Sequence, residues 1–407
     1  MGGLTDEIVL ARALLSRVVE PASVAAWLAV EHEGPVGAVR AMRTGAWRAE
    51  RFRAEAARLA AADPHADLEA AERHGIRLVV PESDEWPHFA FAAFDGPARS
   101  RAESWQAGDR RPSESGELVP PLALWARGPL DLSTIGLRSV AIVGARNATE
   151  YGTWVARDLA GALTLHRFTV VSGGAHGIDA AAHRGALAAR GDTVLVSAGG
   201  LDRAYPPGNS ELFEQVAERG LLVSESPPGA APARHRFLTR NRLIAALGTG
   251  TVVVEAAARS GATNTAKHTV GLGRPLMAVP GPVTSAASVG CHRLLADEQN
   301  PARLVTGADD VLFAVGSASD LALIPLDPAR SRGDALADRV DALDPAARQV
   351  FDAFPARGST GPDRLALAAG LPTVQVIRTL PALELAGLIE ASAEGYRIRR
   401  PDRAARA

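Results

Sequence analysis

The stretches SVAIVGARNATEYG at 139–152 and FTVVSGGAHGIDAAAHRGAL at 168–187 decide the fold of this chain. Each opens with a short β-branched run that is apolar at successive positions, so both faces of the strand are expected to be buried. A turn and a stretch with helical spacing follow each run. Two such units in succession predict a parallel sheet with helical connections.

The same alternation continues to residue 281. Further strands are predicted at TVLVSA (193–198), LLVSES (221–226), TVVVEA (251–256) and PLMAVPG (275–281). Helices are predicted at 151–165, 178–190, 209–219, 238–247 and 262–272. Short buried strands alternating with helices indicate an α/β fold with an open, doubly wound parallel sheet.

Composition limits the classes of protein that fit. The chain has 407 residues, of which 47% are hydrophobic, and a net charge of −2. Two or three domains are expected, and any surface for nucleic acid is a local patch. A single cysteine excludes an internal disulfide framework and a cysteine-cluster metal site. No apolar run resembles a signal peptide or a bilayer span, so we expect a cytoplasmic protein without membrane contact.

Changes in composition divide the chain into five segments. They are an N-terminal helical domain with a short strand (1–94), a flexible loop rich in Gly, Ser, Pro and Arg (95–118), the α/β core (119–315), a linker (316–343) and a winged-helix-like domain (344–401). The last segment reads as three helices and an extended end. Pro381 falls in its third helix and is expected to kink or split it.

Glycine-rich loops lie beside three predicted strands: 144–147 and 172–179 follow the first two, and the third, which begins at 251, has 248–250 before it and 260–263 after it. Ligands of open parallel sheets bind at the edge formed by the carboxyl ends of the strands, and a glycine turn before a helix offers N–H groups to phosphate. Neither the dinucleotide fingerprint nor a P-loop is present, so no cofactor is predicted. The glycines could simply let strands turn into helices, but three loops at one edge favour an anion site.

The densest positive charge lies in the segment RHRFLTRNR at 234–242, which has four arginines, one aromatic and no acid. Arginine forks match phosphate oxygens, and Phe237 could stack on a base. The alternative is a solvated helix face with Phe237 in the core. Arg146 follows a neighbouring strand and could join the same surface.

Residues suited to catalysis are few. His176 and Asp179 fall on one helical turn, and His183 falls a further turn along. A metal pair or an acid/base dyad is conceivable, but histidines on the helix surface are the favoured interpretation, and no metal site is predicted. Cys291 has no visible set of catalytic partners. Glu255 ends a strand and could be catalytic, cap a helix or hold an arginine. No hydrolase signature occurs.

Five motifs, in this order, resemble the DNA-processing protein A (DprA/Smf) family. They are AIVGARNATEYG, VVSGGAHGIDAAAHRGAL, LDRAYPPGNSELF, RFLTRNRLIAAL and the run from TVVVEAAARSGATNTAKHTVGLGRPLMAVPG to SVGCHRLL. The resemblance covers 138–312 and, less specifically, both flanking segments. It implies an extended Rossmann-like core that forms dimers. It also implies a cytoplasmic protein of natural transformation, without established catalytic activity, that binds and protects single-stranded DNA and loads RecA.

The resemblance also implies which residues contact DNA. Arg146 matches the arginine of the first loop, although Gly-Ala-Arg replaces the usual Gly-Ser-Arg. The remaining implied or candidate DNA-binding residues are Ser172, Gly173, Gly174, Gly177, Arg234, Arg236, Phe237, Arg240, Asn241, Arg242 and Lys267. His292 stands where the family often has asparagine.

Two other classes of function stay open. GTGTVVVEAA faintly resembles the loop of nucleotide phosphoribohydrolases of the LOG fold, which would make Glu255 catalytic, although the start of that loop is absent. An adaptor that recruits proteins through its C-terminal segment is the third possibility.

Overall fold

The computed structural model describes residues 4–45, 53–109, 117–316, 340, 343–355, 358–392 and 395–399. The chain forms two compact units, Met1–Ile324 and Pro325–Ala407. Most of the predicted linker at 316–343 lies outside the described residues.

The first unit begins with four helices, and from residue 139 onward its strands and helices alternate as the sequence predicts. Its helices are α1 (Asp6–Val18), α2 (Val24–Arg43), α3 (Arg53–Ala61), α4 (Pro64–Arg73), α5 (His88–Phe91), α6 (Asp95–Gln106), α7 (Leu132–Ile135), α8 (Glu150–Leu165), α9 (Ile178–Ala188), α10 (Ser210–Arg219), α11 (Arg234–Leu247), α12 (Gly261–Gly271), α13 (Val289–Leu295) and α14 (Ala308–Val315). Its strands are β1 (Arg77–Val79), β2 (Leu124–Arg127), β3 (Ser139–Val143), β4 (Thr169–Ser172), β5 (Thr193–Val196), β6 (Leu221–Ser224), β7 (Thr251–Val253), β8 (Leu276–Ala278) and β9 (Arg303–Leu304).

These strands form one nine-stranded sheet in the order β1-β2-β6-β5-β4-β3-β7-β8-β9. Strands β3 to β9 pair in parallel, whereas β2 pairs antiparallel with both β1 and β6. From β3 the chain moves outward through β4, β5 and β6, then returns to place β7 on the other side of β3. The strand order therefore reverses between β3 and β7, where open α/β sheets have their ligand crevice.

Helices cover both faces of this sheet. On one face, Leu159 of α8 and Ala182 of α9 pack in one apolar cluster with Ile142 of β3. On the other face, Leu243 of α11 shares a cluster with Val143 and with residues of α12. The predicted doubly wound α/β fold is confirmed, with an antiparallel edge that the sequence did not indicate.

The predicted N-terminal domain is not a separate body, because β1 extends the same sheet. Arg12 of α1 also donates to Glu82 at 2.6 Å and to the Leu122 carbonyl at 2.8 Å. Within α2 the backbone leaves helical geometry at Gly34, whose φ is +69°. The helix therefore breaks at Gly34, directly before Pro35.

The prediction of a flexible loop at 95–118 is wrong for the first half of that segment, which forms α6. Ala98 is buried against Val24 and Val119. Arg101 also pairs with Glu117 at 2.6 Å. The helix buries only a narrow stripe, so its composition is polar and resembles that of a loop. Residues 110–116 lie outside the described part of the chain.

Among its described residues, the second unit has three helices and a hairpin. They are α15 (Pro345–Asp352), α16 (Pro362–Ala369), α17 (Thr373–Leu385) and the antiparallel strands β10 (Ile389–Ser392) and β11 (Gly395–Ile398). Leu365, Val376 and Leu383 lie in its core. Helix α17 continues through Pro381, so it is not split there. The winged-helix-like assignment stays a prediction.

No single helix among the described residues is long and apolar enough to span a membrane. Helices α16 and α17 meet the length and composition test only as a pair, which is bent by 106°.

Candidate functional site

A cleft of about 1050 Å³ opens at the point where the strand order reverses. Its walls are the loop after β3, the start of α9, the first turns of α11 and the start of α12. Prominent lining residues are Gly144, Ala145, Arg146, Asn147, Thr149, Ala175, Asp179, Tyr205, Arg234, Phe237, Leu238, Arg240, Asn241, Arg259, Ser260, Gly261 and Thr265. The topology therefore gathers loops that are up to about 120 residues apart in sequence.

The lining of this cleft is strongly cationic. It includes Arg146, Arg234, Arg240 and Arg259, whereas Asp179 is the one carboxylate among the described lining residues. Asp179 is 7% exposed, so it offers little charge to solvent. Helix α12 begins at the cleft, and its N-cap residue makes no side-chain capping bond. Its first N–H groups add to the positive potential.

Three side chains form a cluster at the mouth of the cleft. The Arg146 guanidinium carbon lies 5.4 Å from the centroid of the Phe237 ring. The ring of Tyr205 lies 5.4 Å from Phe237 at an interplanar angle of 46°. Tyr205 is 45% exposed. The mouth therefore presents a cation beside two aromatic rings, which suits a phosphate next to a base.

Arg240 lies on the floor of the cleft and is 6% exposed. Its Nη1 donates to the Gly173 carbonyl at 2.7 Å and also to the Val196 carbonyl. Burial lowers the pKa of Arg240 to about 10, while nearby Asp179 raises it. The side chain therefore stays charged at neutral pH and holds the glycine loop after β4.

That glycine loop lies beneath the cleft. Ser172, Gly173 and Gly174 are buried, and the Ser172 hydroxyl donates to the Ile142 carbonyl at 2.6 Å. The Ala175 N–H donates to the Asp179 carboxylate at 3.4 Å. Burial raises the pKa of Asp179, opposed by the charge of Arg240. A carboxylate of the chain thus accepts an N–H of the loop, and the burial of Ser172, Gly173 and Gly174 leaves them little surface for the phosphate contact that was predicted.

Gly177 acts through geometry. Its φ is +77°, and a Cβ there would collide with the carbonyls of Ala145 and Arg146. The next residue, Ile178, donates its N–H to the Ala145 carbonyl at 3.1 Å. Gly177 therefore lets α9 start against the loop that carries Arg146.

Three predicted DNA-binding cations lie outside the cleft. Arg242 is fully buried, and its guanidinium donates to both oxygens of Glu225 at 2.7 and 2.8 Å. Arg236 pairs with Glu20 at 2.8 Å. Lys267 is exposed on α12 but does not line the cleft. Arg242 is therefore a core residue, contrary to the prediction, whereas Arg236 and Lys267 are placed outside the cleft lining.

Asn241 does line the cleft, where its amide donates to the Gly261 carbonyl at 3.3 Å and to Asn264 Oδ1 at 3.1 Å. It therefore ties α11 to the start of α12. Sequence reasoning missed two lining residues, Arg259 and Tyr205. Both lie inside the family motifs quoted above. The signal was a cation just before Ser-Gly for Arg259, and a ring just before Pro-Pro-Gly for Tyr205.

The candidate catalytic residues have structural partners. Glu255 accepts the Thr149 N–H at 2.9 Å and its hydroxyl at 2.5 Å, so it caps the start of α8. His183 was predicted to lie on the helix surface, but it is buried. Its Nδ1 lies 2.7 Å from Thr193 Oγ1, and burial lowers its pKa to about 3. Burial raises the pKa of the Cys291 thiol to about 12. In the described part of the chain, no His, Cys, Asp and Glu cluster could hold a metal ion.

The sheet and the cleft define a doubly wound α/β protein with a cationic, aromatic-edged site at its switch point. A family model described as DNA recombination-mediator protein A matches residues 113–316. A Mycobacterium tuberculosis DNA processing protein DprA is 47% identical over 397 residues, covering 98% of this chain and 96% of that protein. The chain therefore belongs to the DNA processing protein A (DprA/Smf) family, as its motifs predicted.

A relative and a solved structure from Streptococcus pneumoniae agree with this assignment. The DNA processing protein DprA of that organism is 38% identical over 192 residues, covering 47% of this chain and 66% of that protein. The X-ray structure of DprA from Streptococcus pneumoniae matches with a TM-score of 0.59 at 26% identity, covering 77% of this chain and 99% of that one.

Proposed function

We propose that the cleft binds single-stranded DNA. The observation that carries this proposal is the cluster of Arg146, Phe237 and Tyr205 at the mouth of a cleft that is also lined by Arg234, Arg240 and Arg259. Cations that track phosphates beside rings that stack on bases are the two elements of single-strand binding. Membership of the family supports DNA as the polyanion.

The position of the rings favours an unpaired strand over a duplex. In a duplex the base faces are stacked on their neighbours, and only base edges are accessible in the grooves. Phe237 and Tyr205 can stack on a base only when the base is turned out of a helix. Arg146, exposed beside them, would hold the phosphate of the same or the adjacent nucleotide. Binding should therefore be largely independent of sequence.

The cellular role that we propose follows the family. The protein would bind strands that enter during natural transformation, protect them and load RecA onto them. A homodimer would present two clefts to one strand, and binding at the second would benefit from a high effective concentration. The action is one of binding, without a catalytic step.

The phosphoribohydrolase alternative has lost its main support. Its catalytic carboxylate would be Glu255, which is 2% exposed and bonded to Thr149. It therefore lies behind the loop that carries Arg146, and Gly152 of α8 leaves room for it. Incubation with AMP and detection of free adenine tests this alternative; we expect no adenine.

Fluorescence anisotropy tests the proposal with labelled single-stranded and double-stranded oligonucleotides of equal length at two salt concentrations. We expect tighter binding of the single strand and a steep loss of affinity at higher salt, because phosphate contacts release counterions. No binding of the single strand at low salt would overturn the proposal. RecA loading is tested separately, by the rate at which RecA coats a labelled strand with and without this protein.

A further inference from the structure

The start of α11 is electrostatically unfavourable on its own. Arg234, His235 and Arg236 occupy its first turn, where the helix dipole is positive. The first turn has no acid, and the N-cap residue Ala233 provides no side-chain hydrogen bond. Helix N-termini ordinarily carry a Ser, Thr, Asp or Asn cap, so this turn lacks its usual stabilisation.

A carboxylate from another element supplies what α11 lacks. Glu20, between α1 and α2, accepts hydrogen bonds from Arg236 Nε at 2.9 Å and Nη2 at 2.8 Å. His235 Nε2 lies 3.0 Å from the same carboxylate, and Arg58 of α3 lies 2.8 Å away. Partial burial raises the pKa of Glu20, but hydrogen bonds from Arg236 and His235 and the charges of Arg236 and Arg58 hold it at about 2.

The same turn of α11 forms a wall of the DNA cleft on its other side. Arg234 and Phe237 line the cleft, whereas Arg236 lines a second cavity, of about 420 Å³, between α11 and the N-terminal helices. The first turn therefore separates the two cavities. Because Arg236 and Phe237 are consecutive residues of α11, a contact that fixes Arg236 on one side of the helix also fixes Phe237 on the other.

We propose that Glu20 is a positioning residue for DNA binding: by anchoring Arg236, it holds the first turn of α11 so that Phe237 and Arg234 face the cleft. The N-terminal helical segment is thereby a working part of the DNA site. This inference rests on the proposed function and adds an element that does not touch DNA itself.

The direction in which one substitution changes DNA affinity distinguishes a positioning role from a simple effect of charge. Glu20→Gln removes a negative charge close to a cationic site and releases Arg236, so charge alone predicts tighter DNA binding. Loss of positioning predicts weaker binding, because the first turn of α11 frays and Phe237 is no longer held where it can stack on a base. The two effects have opposite signs, so one titration decides between them.

The experiment compares Glu20→Gln and Glu20→Asp with wild type in the full chain. The matched control is Glu214→Gln, which removes the same charge from an exposed pair with Arg127. We expect Glu20→Gln to weaken single-strand binding by about fivefold, the size of a lost helix cap, and Glu20→Asp to retain most of the affinity. Equal or tighter binding by Glu20→Gln would overturn the proposal.

A second readout needs no DNA. Hydrogen exchange in peptides that cover 234–240 should be faster in Glu20→Gln and unchanged in Glu214→Gln. If wild type fails to bind DNA, the proposed function fails while faster exchange still supports Glu20 as the anchor of α11. If Glu20→Gln does not fold, Arg236→Gln breaks the same contact from the other side. Unchanged exchange in the folded variant would overturn the anchoring role.

Discussion

The guanidinium carbon of Arg146 lies 5.4 Å from the centroid of the Phe237 ring, across the mouth of the cleft. This contact joins the loop after β3 to the first turn of α11, which are separated by ninety residues. The ring is therefore held in place before any ligand binds, and binding costs less side-chain entropy than it would with free rings.

Phe237→Leu should weaken binding of normal single strands but have little effect on a strand whose bases are absent. Stacking on an aromatic ring contributes about 1–3 kcal/mol per base, whereas abasic phosphates gain nothing from it. Anisotropy with oligothymidine and with an abasic strand measures both. Phe313→Leu is the control, because Phe313 is an exposed ring that, like Phe237, lies beside an arginine, here Arg303 at 4.5 Å. An equal loss on both strands would contradict a stacking role.

Arg242→Met should destabilise the fold. It leaves the Glu225 carboxylate buried without its cation, which costs about 3–5 kcal/mol. Urea unfolding measures this loss. Arg127→Met is the control, because Arg127 pairs with a largely exposed Glu214 and such pairs contribute about 0–1 kcal/mol. A folded Arg242→Met variant with normal stability and impaired DNA binding would restore Arg242 as a ligand.

Gly177→Ala should weaken single-strand binding by displacing the loop that carries Arg146. A Cβ at this position meets two carbonyl groups, and the positive φ adds about 1–3 kcal/mol of strain. Gly229→Ala is the matched control. Its φ is also +77°, but no atom lies within 4 Å of the added Cβ. Equal effects of the two variants on DNA affinity would show that the collision does not matter.

The buried histidine His183 should make stability fall as the solution is acidified. Its pKa is about 3 in the folded state, because burial and the charges of Arg240 and Arg184 lower it from 6.5. Below pH 6.5 the unfolded chain takes up a proton that the folded chain does not, so stability falls between pH 6.5 and pH 3. At pH 5 the loss is about 2 kcal/mol.

His183→Gln isolates this contribution. Its packing cost is the same at every pH, so the difference in unfolding free energy between variant and wild type should shrink from pH 7 to pH 5. Urea unfolding at both values measures it. A difference that stays constant with pH would contradict the assignment.

Sequence patterns predicted the parallel sheet because its signal is local. Strands such as β3 and β7 are short, β-branched and apolar on both faces, and a glycine stands directly after β3 and directly before β7. The position of Arg146 at the sheet edge follows from this pattern together with topology. Strand β2 was not predicted, because its antiparallel pairing with β6 depends on contacts distant in sequence.

The roles of individual side chains were harder to predict. Arg240 and Arg242 belong to one basic segment, yet one forms the floor of the cleft and the other lies in the core with Glu225. Nothing in the local pattern shows which arginine meets a buried carboxylate. Likewise, the glycine loop after β4 has the composition of a phosphate cradle, but Asp179 lies on the next helix and accepts a loop N–H.

A salt titration of single-strand affinity tests the central claim most directly, with wild type and the double variant Arg146→Ala, Arg259→Ala. Each phosphate contact adds about 0.7 to the slope of log affinity against log salt for single strands. If both arginines hold phosphates in the cleft, the double variant should bind more weakly and its slope should be shallower by about 1.4. An unchanged affinity and slope would show that single-stranded DNA binds elsewhere on the protein.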